Sequence, residues 1–250
     1  AVIATRSRLL ARLAGQGAMA LLELDPGATE VLIADYPDVT LAVYASPRQT
    51  VIAGPPAQVD AVIAVVGAQD RLARRIEVDV ASHHPIIDPV LPELRSALAD
   101  LTPQPPTIPV LTTTQDHTAT GAIVFDAEYW AANLRNPVRF SQAVATAGAE
   151  HATFIEVSPH PLPTHAISDT LAEVHHHSIG TLQRDTHDTL TFHTNLNASH
   201  TVHPPHTEHP PEPPPLLPTT PWHHTHHWIT APEAPETRRR NGNPVQFVLG

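Results

Sequence analysis

The sequence predicts an α/β protein with a parallel-sheet subdomain, a smaller α+β subdomain and an extended C-terminal linker. Three observations support this prediction. Short apolar segments alternate with helix-like segments over residues 1–185. Residues 17–79 contain a compact alternation of their own, and the residues from 186 onward become rich in proline and histidine.

The composition argues against several classes of protein. The chain has 250 residues, a formal net charge of −11 and no cysteine. Disulfides, thiolate metal sites and cysteine nucleophiles are therefore excluded, and the expected location is a reducing cytoplasm. The negative charge, without a stripe of Lys and Arg, argues against a nucleic-acid partner. No stretch has the roughly 18 uncharged apolar residues that a membrane span needs.

The first residues indicate the end of a helix. Apolar side chains recur with helical spacing over residues 1–14, and Gly15 and Gly17 interrupt the pattern. The stretch begins without methionine and lacks a cleavage site, so it is interpreted as an internal piece of a longer chain. Residues 1–16 and 80–185 are assigned to the larger subdomain.

Residues 17–79 have the element order of a ferredoxin-like subdomain. Strands are expected at residues 18–24, 39–46, 50–54 and 73–80, and helices at residues 28–37 and 56–69. The order β-α-β-β-α-β is the split βαβ pattern, and the turn Ser46–Gln49 makes a hairpin of its central strands.

The larger subdomain is predicted to hold a parallel sheet covered by helices. Strands are expected at residues 106–114, 153–159 and 178–182, and helices at residues 86–101, 126–134, 137–150 and 162–174.

Residues 186–229 are predicted to form an extended linker, because the prolines between residues 203 and 221 exclude a helix or a central strand. Trp222 and Trp228 end this linker and predict that it docks on a surface. The polar residues 230–250 are expected to be disordered.

His83 follows the predicted strand Glu77–Val80 and precedes a helix, a position where a side chain can do chemistry. Position alone favours a structural histidine. A Gly-x-Ser-x-Gly motif is absent from the sequence, and the neighbouring Ser82 would point away from the ring. The residues by themselves therefore leave both interpretations open.

The chain has 19 histidines, several of them in runs at residues 175–177 and 223–227. Imidazole is a common metal ligand, but no carboxylate or thiol stands at a fixed spacing from these runs. Adventitious binding of nickel or zinc in vitro is favoured over a physiological metal site, and no metal is assigned.

Five segments together resemble one known family. The segments are "RSRLL", "VDVASHHP", "PTIPVL", "YWAANLRNPVRF" and "FIEVSPHPL". Their order and distances are similar to those of the C-terminal two-thirds of a malonyl-CoA:acyl-carrier-protein acyltransferase, more closely that of mycobacterial-type modular type I polyketide synthases. "LPTTPWHHTHHW" resembles the linker that follows such domains. The resemblance implies that the larger subdomain is an incomplete α/β-hydrolase-like unit, into which the ferredoxin-like α+β subdomain is inserted.

The resemblance implies roles for five residues. His83 corresponds to the general base that activates a serine, and the backbone carbonyl of Asn133 to the group that orients its ring. Arg6 corresponds to the cation that binds the free carboxylate of a malonyl-type acyl group. Ser82 is typical of enzymes that take methylmalonyl groups, where malonyl enzymes carry Phe. Val80 departs from the Tyr or His more usual at the start of that motif.

The implied reaction loads an extender unit, methylmalonyl favoured over malonyl, from CoA onto an acyl carrier protein through an acyl-serine. The chain needs no cofactor of its own, because the carrier protein holds the phosphopantetheine. Neighbouring ketosynthase and linker domains are further expected partners. The family's Gly-His-Ser-x-Gly motif is not in this sequence, so the chain alone is expected to be inactive. The alternative is a truncated, non-catalytic synthase remnant or structural partner.

Overall fold

The computed structural model describes residues 2–114 and 123–200, which form eight α-helices and two sheets. The helices are α1 (Val2–Leu10), α2 (Pro26–Ile33), α3 (Pro56–Gly67), α4 (Leu91–Ala97), α5 (Ala127–Arg135), α6 (Phe140–Gly148), α7 (Thr164–Thr170) and α8 (Asp188–Ser199). The strands are β1 (Ala18–Leu22), β2 (Thr40–Ser46), β3 (Gln49–Gly54), β4 (Ala73–Ile76), β5 (Thr153–Glu156) and β6 (His177–Gly180).

Strands β1 to β4 form an antiparallel sheet in the order β2-β3-β1-β4. Along the chain its elements follow the order β1-α2-β2-β3-α3-β4. The Asp25 side chain accepts a hydrogen bond from the N–H of Ala28 and caps α2, and a proline begins α3 where no N–H donor is needed. Apolar residues of the sheet pack with those of α2 and α3, among them Leu22, Ile52 and Val62.

The predicted strand at residues 73–80 is too long, because β4 ends at Ile76. Ile76 pairs with Met19, one residue from the start of β1, so the following residues have almost no strand left to pair with. The chain turns away instead, and the Asp79 carbonyl accepts a hydrogen bond from the N–H of Gly15 at 2.8 Å. Gly15 has a φ of 78°, a conformation that glycine adopts without strain.

The second sheet is a parallel pair, β5 and β6, in the part of the chain that the structure describes. The strand predicted at residues 106–114 is wrong: this segment is irregular. A strand needs a neighbouring strand that accepts hydrogen bonds from its N–H groups. Pro106 and Pro109 have no N–H to donate.

Two more predicted elements are corrected. The helix expected at residues 86–101 is a 3₁₀ segment, Pro85–Val90, followed by the short α4. Pro89 lies within the 3₁₀ segment, and its ring is incompatible with a regular α-helix interior.

The extended linker expected from residue 186 begins instead with the helix α8. Its Phe192 and Leu196 line a small cavity together with Ile155 and Ile179 of the parallel pair. The prolines that predicted extended chain start only at Pro204. The prolines, Trp222, Trp228 and the polar tail lie outside the described residues.

The contacts that join the small antiparallel sheet to the rest of the described chain include three sets of hydrogen bonds. The edge strand β2 bonds to residue Val138, with Tyr44 N–H donating to the Val138 carbonyl at 2.9 Å and Val138 N–H donating to Ala42 at 2.8 Å. The buried Asp169 on α7 accepts a hydrogen bond from Ser46 and pairs with Arg48. The third contact is made by a histidine next to the candidate base, described below. No helix in the described ranges is long and apolar enough to cross a membrane.

Candidate active site

The candidate base, His83, lies in a tight turn between the small sheet and the 3₁₀ segment. Its φ is 62°, a left-handed conformation that is uncommon for a residue with a side chain. Two hydrogen bonds hold it there: its N–H donates to the Leu134 carbonyl at 3.0 Å, and its ring Nδ1 bonds the Asn136 carbonyl at 2.8 Å. A backbone conformation this unusual is typical of functional sites, where the surroundings maintain it.

The ring contact defines the protonation of His83. A carbonyl oxygen only accepts, so Nδ1 must carry the proton and Nε2 has a free lone pair. Burial lowers the pKa of His83, the bond to Asn136 opposes this effect, and the positive charge of Arg6 lowers the pKa further. The ring is therefore a neutral imidazole near pH 7 with a basic nitrogen available.

The assignment of the orienting carbonyl to Asn133 is wrong, because the contact comes from Asn136. Asn133 lies within the last turn of α5, where carbonyls run along the helix axis. Asn136 is the first residue beyond the helix and has an extended backbone, with φ −80° and ψ 153°. Its carbonyl therefore leaves the helix direction and is available to an outside donor. In the sequence, the only sign that α5 ends here is Pro137, which favours an extended conformation in the residue before it.

Asn133 instead contacts the candidate clamp. Arg6 on α1 donates from Nη1 to the side-chain oxygen of Asn133 at 3.3 Å. Arg6 is half-buried and pairs with no carboxylate among the described residues. Burial lowers the pKa of Arg6, but a guanidinium keeps its charge at physiological pH. The cation is therefore available to an anion.

Ser82 and Val80 precede the base in the same turn. Both are half-buried, and the N–H of Ser82 donates to the Val80 carbonyl at 3.1 Å. Val80 packs against an apolar cluster to which α1, the 3₁₀ segment Pro85–Val90, α4 and α5 contribute. Ala81, between them, is fully buried and packs against the start of β1 at Gly17. The Ser82 hydroxyl makes no hydrogen bond in the described residues.

His84, the second histidine of the motif, is structural. Its ring is 6% exposed; Nδ1 accepts the N–H of Ile86 at 3.0 Å, and Nε2 donates to the Asp38 carbonyl at 2.8 Å. This bond is the third of the hydrogen-bonded contacts named above, and it reaches the segment just before β2. Burial lowers the pKa of His84, an effect that the bond to Asp38 opposes and the charge of Arg135 reinforces. The sequence "HH" alone does not show which histidine is the candidate base and which is structural.

No group of three or more potential metal ligands occurs in the ranges that the structure describes. Within the run at residues 175–177, the ring of His176 bonds the carbonyl of Val174 at 2.8 Å. The run at residues 223–227 lies outside the described residues.

The end of α5 thus bonds both the candidate base and a guanidinium that pairs with no carboxylate among the described residues, an arrangement suited to group transfer. The sequence model of the acyl transferase domain family matches residues 1–205, and the chain belongs to this family.

Relatives and solved structures agree with this membership. The chain is 64% identical over 230 residues to one of the phenolphthiocerol/phthiocerol polyketide synthase proteins of Mycobacterium tuberculosis. It matches the acyltransferase domain of the polyketide synthase PpsC of Mycobacterium tuberculosis with 59% identity and a TM-score of 0.72, covering 74% of this chain. It also matches the acyltransferase domain from module 8 of the salinomycin polyketide synthase, with 34% identity and a TM-score of 0.74, over 79% of this chain and 48% of that one.

The chain spans only part of these proteins. The alignment with the phenolphthiocerol/phthiocerol polyketide synthase covers 92% of this chain but 12% of the synthase protein. The match to the PpsC acyltransferase domain covers 58% of that domain's chain.

Proposed function

We propose that these residues form part of a polyketide synthase acyltransferase that moves an extender unit from CoA to an acyl carrier protein. One observation carries the proposal: the end of α5 holds both a histidine with a free Nε2 and a half-buried guanidinium with no acidic partner in the described ranges. A base and an anion clamp that are both bonded to one helix end can serve a single small, acidic acyl substrate.

The proposed reaction uses a serine that lies outside these 250 residues. His83 Nε2 accepts the serine proton as the serine oxygen attacks the thioester carbonyl, and the proton then goes to the departing CoA sulfur. In the second half-reaction, His83 takes the proton of the carrier protein's phosphopantetheine thiol. The thiolate attacks the acyl-serine, and His83 returns the proton to the serine oxygen.

Arg6 is proposed to bind the free carboxylate of the acyl group, which selects malonyl-type units over simple acyl groups. Ser82, directly before the base, is proposed to favour methylmalonyl over malonyl, because a small side chain leaves room for an α-methyl branch. Val80 is proposed to line the same pocket. The half-buried positions of Ser82 and Val80 in the turn of His83 support this assignment.

The proposed organisation follows the same family. Residues 1–16 and 80–185 would form the larger acyltransferase subdomain, with a ferredoxin-like subdomain at 17–79 inserted before the base. The antiparallel strand order β2-β3-β1-β4, with α2 and α3 packed on the sheet, supports the ferredoxin-like assignment. Acyl-CoA, the carrier protein and neighbouring synthase domains are the proposed partners.

The test joins these residues in frame behind an acyltransferase segment that carries the Gly-His-Ser-x-Gly motif. Acyl-enzyme formation is then measured with methylmalonyl-CoA and malonyl-CoA in competition. We expect loading with methylmalonyl preferred, and a loss of about a thousandfold or more in His83→Ala. His165→Ala, which changes an exposed histidine with no described bond, is the matched control and should load normally.

Ser82→Phe tests the steric argument for selectivity. A Phe ring should strike the α-methyl branch, and overpacking of about 1–3 kcal/mol would move the ratio toward malonyl by about tenfold. Ser82→Ala keeps the space and should keep the ratio. Equal or faster loading of malonyl by the unmodified chimera would overturn the methylmalonyl assignment.

The alternative function is a non-catalytic synthase remnant. A folded chimera that forms no acyl-enzyme with either CoA ester would favour it over the enzymatic proposal.

A further inference from the structure

Asn133 makes a pair of side-chain hydrogen bonds that point its amide in one direction. Its oxygen accepts from Arg6 Nη1 at 3.3 Å, and its Nδ2 donates to Thr114 Oγ1 at 3.2 Å. The reverse orientation would place an amide NH₂ against the guanidinium, with donor facing donor. Arg6, which can only donate, therefore specifies which end of the amide faces it, and Thr114 Oγ1 holds the other end by accepting from Nδ2.

Thr114 is itself held in place. It is 6% exposed, and its N–H donates to Thr112 Oγ1 at 3.2 Å. Thr112 Oγ1 also shares a hydrogen bond with the hydroxyl of Tyr129 at 3.0 Å, and Tyr129 lies on α5 one turn before Asn133. The polar contacts thus run from α5 through the irregular segment and back to α5. A closed set of this kind leaves the Asn133 side chain little freedom to turn.

The same end of α5 also positions the base. The carbonyls of Leu134 and Asn136 bond the backbone and ring of His83, while the side chain of Asn133 bonds Arg6. The Arg6 guanidinium otherwise ends a long, flexible side chain, which costs entropy to hold in one geometry. A neutral amide can orient such a group without cancelling its charge.

We infer that Asn133 is a positioning residue, which acts through Arg6 and aims the guanidinium at the acyl carboxylate, with Thr114 fixing the amide. The inference rests on the proposed function, in which Arg6 binds that carboxylate. It also replaces the role first assigned to Asn133, since the backbone carbonyl that orients His83 belongs to Asn136.

The experiment uses the 250-residue chain with malonate as the probe. Malonate is titrated while the side-chain Nε–Hε signal of Arg6 is followed by NMR, with the signal assigned from Arg6→Gln. Asn133→Ala is expected to weaken malonate binding by about tenfold or more, since a hydrogen bond to a charged group is lost. Thr114→Val should weaken it by a smaller factor. Asn133→Asp should abolish binding, because its carboxylate would occupy Arg6.

A second readout needs no ligand. The heteronuclear NOE of Arg6 Nε should fall in Asn133→Ala and Thr114→Val, which reports greater motion of the guanidinium. Asn197→Ala is the matched control, because its side chain is exposed on α8 and makes no described bond. This control should change neither the NOE nor malonate binding.

The outcomes separate the two ideas. Arg6→Gln lacks the Arg6 signal, so its malonate affinity is compared with that of the unmodified chain by isothermal titration calorimetry. If Arg6→Gln binds malonate as well as the unmodified chain does, or if neither binds it, the proposed clamp is wrong, and the NOE alone then decides whether Asn133 orders Arg6. If Arg6→Gln abolishes binding while Asn133→Ala changes neither the affinity nor the NOE, the clamp stands and the positioning role of Asn133 is wrong.

Discussion

The ring Nδ1 of His83 donates a hydrogen bond to the backbone carbonyl of Asn136 at 2.8 Å. The contact joins two segments 53 positions apart and specifies the tautomer of the candidate base without using a carboxylate. A neutral carbonyl also adds no negative charge that would raise the pKa of the ring strongly. Burial then lowers that pKa, so the base stays deprotonated at neutral pH.

The first prediction concerns this tautomer. Nitrogen-15 NMR of the histidine rings should show the proton of His83 on Nδ1 and the lone pair on Nε2, with the signals assigned by comparison with His83→Gln. The ring should titrate below the ordinary histidine value of 6.5. Rapid exchange between both tautomers, or titration above that value, would contradict the structure.

The second prediction concerns acid stability and His84. Its folded pKa is lowered by burial, whereas in the unfolded chain it titrates near 6.5. Below about pH 6.5 the unfolded state therefore binds more protons, and the stabilisation present at higher pH is lost as the pH falls. His83 contributes with the same sign.

Urea unfolding between pH 5 and 8 should show this decline, and His84→Asn should make it shallower. Asn can still accept the N–H of Ile86 but loses the bond to Asp38, which should cost about 1 kcal/mol at pH 8. The exposed His165→Asn is the control and should leave the slope unchanged. An equal slope in His84→Asn would show that His84 does not carry the effect.

The third prediction concerns the contact between α7 and the β2–β3 hairpin. Asp169 is 9% exposed; burial alone would raise its pKa, but hydrogen bonds from Arg48 and Ser46 outweigh this and lower it. Asp169→Asn should reduce the free energy of unfolding by about 1–3 kcal/mol at pH 7, because the charge-assisted bonds are lost.

The stabilisation from Asp169 is present above its unfolded pKa, near 3.9, and is lost as the pH falls through the lower folded value. The difference between the unmodified chain and Asp169→Asn should therefore shrink toward pH 3. The exposed pair of Arg12 and Glu93 offers the control: Arg12→Gln should hardly change the unfolding free energy. A similar loss in both variants would mean that burial of Asp169 is unimportant.

The fourth prediction concerns Gly17, against which the turn of His83 packs. A Cβ at Gly17 would lie 2.5 Å from the Cβ and 2.8 Å from the backbone nitrogen of Ala81. Gly17→Ala should cost about 1–3 kcal/mol by overpacking and should shift the ring signals of His83. Gly67→Ala, at the end of α3 with open space around it, should be neutral or slightly stabilising. If Gly17→Ala is destabilised but the ring signals of His83 do not change, packing at Gly17 does not determine the position of the base.

Sequence alone determined the features that depend on neighbours along the chain. The alternation of residues 18–76 encodes β1-α2-β2-β3-α3-β4, because helix and strand periodicities are local and prolines and glycines separate them. The resemblance in the segments around Arg6 and His83 pointed to the acyl transferase family, which the match over residues 1–205 confirms. Those segments did not show which side chains and backbone carbonyls of the candidate site are hydrogen-bonded to each other.

The tertiary structure decided what depends on partners distant in sequence. Residues 77–80 and 106–114 look like strands, but a strand forms only where another strand can take up its backbone groups. Asn133 and Asn136 belong to the same short motif, but α5 ends between them. As a result, the side chain of Asn133 bonds Arg6, whereas the backbone carbonyl of Asn136 bonds His83. His83 and His84 also differ in their partners. Both ring nitrogens of His84 are hydrogen-bonded, one of them to the Asp38 carbonyl beside the small sheet, whereas the end of α5 bonds Nδ1 of His83 and leaves Nε2 without a partner among the described residues.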